Sequence, residues 1–430
     1  DNLAFRRKPA AALFACARAG FMVAGERRGG WGIDMTSDAR IPSAEALIAA
    51  ARAMIPTLAE RAAAQTANRR ILPQTIADLK EAGFFRVLQP RRWGGYEMSP
   101  RIFAEIQMAL AEGDMSVGWV YGVVGVHAFQ IALFDDRAAK DVWDEDNATL
   151  IASTYMPTGR AIPVEGGWRF SGKWRFSSGV EHCQWIFLGG LTAKDEATGA
   201  GGDYCTFLLP RKDFEIVDAW DVLGLKGTGS QDIVVKDAFV PSYRVHKTAD
   251  AYLGTSPGNA VNTGHLYRYP FVQVFFRAVT NGCIGALQGL LDAFRTYAAA
   301  RITTTGQSTA RDPDAQMAAA EAAAAIDEMK AILHRNFQVF DDYARKGEQA
   351  PTELRLLYRY QSSEVADRCL EIAARMFKCM GGSGLFATQP FGRIYADLIA
   401  ARQHVSNQCQ ITGRGYGAVL LGLENQDLML

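Results

Sequence analysis

The chain has 430 residues, with 46 lysines and arginines against 46 aspartates and glutamates, so its formal net charge is zero. That balance argues against nucleic acid or a membrane surface as a partner held by bulk charge. With 49% hydrophobic and 21% charged residues, and no apolar run read as bilayer-spanning, a soluble globular protein of two or three domains is expected.

In chain order, residues 1–34 come first. "FRRKPAAALFACARAGFMVAGERRGG" has basic flanks around a short apolar centre, the outline of a signal peptide. Arg18 interrupts that centre and no disulfide framework follows, so 1–34 reads as a disordered or artefactual extension, with a natural start at Met35.

Residues 35–147 read as an N-terminal α-helical domain. Apolar residues recur at spacings of three and four in "AEALIAAARAMIPTLAERAAA", "LPQTIADLKEAGFFRVLQP" and "SPRIFAEIQMALAEGDMSVGWVYGVVG", and Ser43 is placed to cap the first helix. Residues 148–260 change character. "GWRFSGKWRFSSG", "CQWIFLGGLTA", "YCTFLLP", "FEIVDAW" and "DIVVKDAFVP" are short β-branched and aromatic runs between glycines, aspartates and prolines. They predict a central β-domain, sandwich- or barrel-like, with Trp168, Trp174 and Trp185 filling its core. From 261 to 430 the helical period returns, as expected for a C-terminal four-helix bundle. The class is α+β.

Seven cysteines are scattered without a CxxC, and six histidines form no HExxH, so reduced thiols, a cytoplasmic location and no metal site are expected. No GxGxxG follows a strand, which leaves the chain without a recognisable site for NAD(P)H.

Several segments together resemble the acyl-CoA dehydrogenase superfamily, over almost everything after residue 44. They are "LQPRRWGGYEMSP", "SGKWRFSSGVEHCQWIFL", "TFLLPRKDFEIVDAWDVLGLKGTGSQDIVVKDAFVP" and "CMGGSGLFATQPFGRIYADLIAA", in that order. Dehydrogenases of that type carry a glutamate in the late helix region to abstract the substrate α-proton. Here the position falls at "RQHVSNQ", where His404 stands and no carboxylate is near. The substitution resembles another branch, the oxygenase components of two-component flavin monooxygenases, similar to 4-hydroxyphenylacetate and 3-hydroxy-secosteroid hydroxylases. "GVHAFQIALF", "ASTYMPTG" and "FSSG" are similar to it as well.

The resemblance implies a reaction of reduced flavin with O2 through a C4a-(hydro)peroxyflavin, in a site that excludes water and holds the peroxide protonated. It implies diffusible reduced FMN or FAD supplied by an NAD(P)H:flavin reductase, a hydrophobic aromatic substrate, most readily a phenol, and a homotetramer. His404 is expected to donate a proton to the forming peroxide, an imidazole being suited by a pKa near working pH. Ser153 and the Ser177/Ser178 pair are candidates for hydrogen bonds to the flavin, with Ser178 and Ser153 counted as catalytic. His127 is the candidate for binding the substrate hydroxyl. Trp93, Phe176, Lys226, Thr228, Ser230, Arg268 and Arg301 complete the expected cofactor contacts, Arg301 toward a neighbouring subunit's flavin phosphates. Each has a structural reading beside the functional one: a satisfied core histidine, turn serines bonding backbone, a solvated helix-end arginine. S- or N-oxygenation in the same fold, an FAD-dependent acyl-CoA dehydrogenase with a displaced base, and a non-catalytic binding protein are the alternatives.

Overall fold

The computed structural model describes residues 41–193, 202–303 and 306–427; the extension expected at 1–34 lies outside them. Seven helices come first: α1 (Ala44–Ala53), α2 (Ile55–Asn68), α3 (Pro73–Glu81), α4 (Pro100–Gly113), α5 (Met115–Gly125), α6 (His127–Ile131) and α7 (Asp136–Trp143). Their starts are dictated locally. The Ser43 hydroxyl accepts from Ala46 N–H at 3.1 Å, and Ser99 caps α4 just ahead of Pro100, which needs no N–H partner at the first helical position. α5 is buried along its entire length, as its lack of charged residues permits, and the Asp114 carboxylate caps it by accepting from Ser116 N–H at 2.8 Å.

Seven strands follow: β1 (Ile151–Val164), β2 (Gly167–Ser177), β3 (Trp185–Thr192), β4 (Tyr204–Pro210), β5 (Glu215–Val217), β6 (Gln231–Pro241) and β7 (Val245–Lys247). They form one hydrogen-bonded sheet in the order β5-β6-β2-β1-β3-β4-β7, antiparallel except for the parallel β1–β3 pair. The sandwich- or barrel-like arrangement expected from the sequence is thus a continuous ladder with β5 and β7 at its edges. Trp174 is buried in it, its indole N–H donating to Gly189 C=O at 2.9 Å, whereas Trp168 and Trp185 are half-buried at the margin.

After α8 (Thr248–Leu253) the chain returns to long helices: α9 (Phe271–Ala278), α10 (Asn281–Ala300), α11 (Pro313–Lys346), α12 (Thr352–Met380), α13 (Phe391–Arg402) and α14 (Cys409–Leu420). α11 begins at an Asp312 cap with Pro313 behind it and stops at Gly347, whose φ of 75° only glycine adopts freely. α10 packs on α4, α11, α12 and α13, so the late helices and the early ones share a core. One expectation needs correction: Phe271–Ala300 is long and apolar enough to cross a bilayer. Most of it, 83% of the apolar window, is buried inside the fold, where a core helix needs that composition.

Candidate active site

Two turns meet beside α5. The first is the exit of β2. Its register against β6 shifts between Trp174 and Ser177, a bulge that breaks the in-out alternation and turns Ser177 inward, and Ser178, first residue of the turn beyond, is buried as well. Just before them Phe176 has a φ of 67°, rare for a bulky residue, and is exposed with its ring edge-on to Trp220 at 6.0 Å. The second turn is 225–230, which opens with Leu225 at a φ of 53° and runs through a short 3-10 segment, Lys226–Thr228. Gly179 N–H donates to Thr228 C=O at 2.8 Å and locks the turns together.

Their hydroxyls form a buried chain. Ser178 Oγ lies 2.7 Å from Ser230 Oγ, which lies 2.6 Å from Thr228 Oγ1, and Thr228 donates to Leu225 C=O at 2.8 Å. At the other end the Trp119 indole N–H, from α5, donates to Ser178 Oγ at 3.2 Å. The same indole meets the His404 ring edge-on, centroids 5.7 Å apart. His404, Trp119, Ser178, Ser230 and Thr228 are therefore one constellation drawn from four distant stretches of sequence. Ser177 Oγ is buried without a hydrogen-bond partner, a hydroxyl left for a ligand atom.

His404 follows α13 and caps the short turn Val405–Asn407, its Nδ1 accepting from Ser406 N–H at 3.1 Å. Burial pushes its pKa down to about 4, so the ring is neutral at pH 7. That changes the expected reason for a histidine here. It is not an imidazolium poised near working pH but a neutral ring whose Nδ1 is occupied as acceptor, which puts the proton on Nε2 as a donor.

His127 shows the opposite tautomer. Its Nδ1 lies 2.6 Å from Ile151 C=O, which can only accept, so Nδ1 carries the proton. Burial again lowers the pKa to about 4, and Nε2 is left as a buried acceptor with no partner. Around it stand Phe187, edge-on at 5.4 Å, and Tyr155 at 6.3 Å. The Tyr155 phenol donates to Gln130 Oε1, and Ser153 is paired across the β1–β3 ladder with Phe187. Phe275 of α9 packs edge-on against Tyr155 at 5.1 Å, which brings the aromatic "YPFVQVFF" stretch to this wall. Ser153 thus belongs with His127 rather than with the Ser178 chain.

The remaining candidates disperse. Trp93 packs on Trp143 at 6.3 Å in the satellite core that includes Phe187 and Tyr155, with its indole N–H buried and unpartnered. Lys226 is half-buried at the start of its 3-10 segment. Arg301 caps the end of α10, donates to Cys379 C=O at 3.2 Å and lines a cavity of about 550 Å³ with Tyr297 and Phe391. Arg268 is exposed beside Gly347, at the end of α11, and among the described residues no contact joins it to either cluster. Trp119, Tyr155 and Gln130 were not singled out from the sequence, where each looks like a core residue of an apolar run. No group of metal-ligating residues occurs among the described residues.

A family model described as acyl-CoA dehydrogenase, C-terminal domain, matches residues 280–409. The chain is 36% identical over 382 residues to the flavin-dependent monooxygenase, oxygenase subunit HsaA, of Rhodococcus jostii, covering 88% of this chain and 99% of that protein. It is 32% identical over 391 residues to the FADH(2)-dependent resorcinol hydroxylase, oxygenase component, of a Rhizobium strain, covering 86% and 93%. The crystal structure of the HsaA monooxygenase from Mycobacterium tuberculosis superimposes with a TM-score of 0.86 at 34% identity, over 90% of this chain and 100% of that one.

Proposed function

Because this chain belongs to the family of oxygenase components of two-component flavin-dependent monooxygenases, on an acyl-CoA dehydrogenase-like fold, we propose that it hydroxylates a hydrophobic phenol with flavin reduced elsewhere. The observation that carries the substrate class is the opposed tautomers. His404 offers an Nε2–H donor near the Ser178 chain, and His127 offers an Nε2 acceptor inside an aromatic wall.

The residues present fit a flavin. Ser177 keeps a buried hydroxyl free, the Ser178–Ser230–Thr228 chain orients another, and exposed Phe176 stands beside them. When bound, the reduced flavin supplies the activation of dioxygen. The protein's part is to hold and to exclude. Ser178, fixed as acceptor of the Trp119 N–H, is free to donate its own proton to Ser230 or to a ligand atom. His404 Nε2–H stabilises negative charge that develops on oxygen without needing to change its charge state beforehand. His127 Nε2 accepts from the substrate hydroxyl and raises electron density on the ring, while Ser153 and Tyr155 flank it. Buried apolar walls keep water from competing.

Either FMN or FAD suits these contacts, with an NAD(P)H:flavin reductase as donor. Exposed apolar side chains late in the chain, among them Phe386, Ile411 and Leu421, support the packing of bundles into a homotetramer. The absence of disulfides among the described cysteines is compatible with a cytoplasmic location.

The test premixes the protein anaerobically with reduced FMN or FAD and a phenol, admits oxygen, and measures hydroxylated product and hydrogen peroxide. Product approaching one per O2 supports the reading. Peroxide alone with every phenol and both flavins would rule it out.

A further inference from the structure

The turn at 225–230 is anchored by a residue the reaction scheme leaves unused. Asp397, on α13, is buried, and its Oδ1 accepts from Leu225 N–H at 2.6 Å. One residue earlier, a Cβ on Gly224 would lie 1.9 Å from Ala396 C=O, so the turn sits backbone to backbone on α13. Leu225 is the left-handed residue that starts the turn, and its carbonyl is the acceptor for both Thr228 Oγ1 and the Trp220 indole N–H, at 2.8 and 3.0 Å. Asp397 thus holds one face of the Leu225 peptide region while the hydroxyl chain ends on the other.

The opposite side of the turn rests on α2 and α5. A Cβ on Gly227 would lie 3.0 Å from Ser116, and one on Gly229 3.1 Å from Arg69 C=O. Beneath it the Asp114 carboxylate takes the Gln65 amide at 2.7 Å and lies within electrostatic reach of Asp397, as does Arg393, one turn earlier on α13. A buried carboxyl in such company persists only where its acceptor capacity is used.

We propose that Asp397 is a positioning residue that clamps the 225–230 turn to α13, so that the Thr228–Ser230–Ser178 chain stays in register with His404 just past the end of the same helix. About two helical turns separate Asp397 from His404, and Asn407 Nδ2 donates to Ala401 C=O at 2.7 Å, tying the His404 turn back onto α13. One helix therefore carries the anchor of the flavin-side hydroxyls in its middle and leads directly into the turn that holds the proton donor. The role rests on the proposed flavin site, yet the clamp itself is a property of the protein without ligand.

The experiment compares Asp397→Ala and Asp397→Asn with the wild type, all as full chains. Asparagine keeps an oxygen acceptor for Leu225 N–H; alanine does not. Amide hydrogen exchange of the 224–230 segment is measured without flavin, and reduced FMN is titrated anaerobically. Losing a hydrogen bond to a carboxyl should speed exchange and weaken reduced FMN by about tenfold or more in Asp397→Ala, with Asp397→Asn close to wild type in both. Unchanged exchange in Asp397→Ala, or Asp397→Asn behaving like alanine, would overturn the clamp. Should the alanine variant not fold, Asp397→Leu fills the space without an acceptor and carries the same comparison. Wild-type protein that binds no reduced FMN or FAD overturns the functional reading instead, and the exchange data still judge the clamp.

Discussion

At the scale of single residues, burial decides protonation and protonation decides role. His404 and His127 are both held neutral, and each is told apart by what its Nδ1 touches: an N–H in one case, a C=O in the other. His127→Asn keeps a donor for Ile151 C=O and removes Nε2. It should raise KM for a phenol about tenfold, the cost of one buried hydrogen bond, with kcat changed less, measured by steady-state product formation. His404→Ala removes a donor acting on developing charge. It should shift oxygen consumption from product toward hydrogen peroxide severalfold while reduced-flavin affinity changes little, read from the peroxide yield. Trp119→Phe keeps an aromatic ring, though a smaller one, and deletes the N–H to Ser178, so it should reproduce part of the His404→Ala leakage.

Elements matter through how closely they approach. The turn before Lys226 meets α13 at Gly224 with no room for a side chain. Gly224→Ala should therefore force the two apart at a cost on the order of 2 kcal/mol, seen as a lower melting temperature together with weaker reduced-flavin binding. The bulge in β2 has a comparable consequence, because it turns Ser177 indoors, next to the buried Ser178 of the following turn. The helices and most strands were legible in the sequence, since apolar period and capping residues such as Ser43 are local signals. The bulge was not, since a register shift depends on the partner strand. Nor was the dispersal of Arg268, whose direction is set by its docking near the end of α11.

For the whole molecule, buried titrating groups make stability depend on pH with opposed signs. His127 and His246 have folded pKa values of about 4 against an ordinary 6.5, so the unfolded chain binds protons first as pH falls. Each then contributes stability that is intact above pH 6.5 and is lost on the way to pH 4, about 2 kcal/mol of it between pH 7 and 5. Asp397 acts the other way: burial, with Asp114 close by, raises its pKa to about 7, so the folded state takes up its proton first and gains stability as pH falls through that range. The net acid response is a difference of such contributions, and single variants separate them. Between pH 7 and 5 the wild type should lose about 2 kcal/mol more than His127→Asn, measured by urea unfolding at each pH.

The sequence by itself determined the α, β, α order, through local periodicity, and carried the resemblance that pointed to the family. That resemblance rests on the order of several glycine-punctuated segments and on a histidine where a related chemistry needs a carboxylate. Only the tertiary structure decided which candidates work together. His404 and Ser178 are joined by Trp119, Ser153 sides with His127 through Phe187, and Asp397 ties the 225–230 turn to the helix that precedes His404. Tautomers, perturbed protonation and backbone contacts arise from neighbours distant along the chain, and no local pattern of residues encodes them.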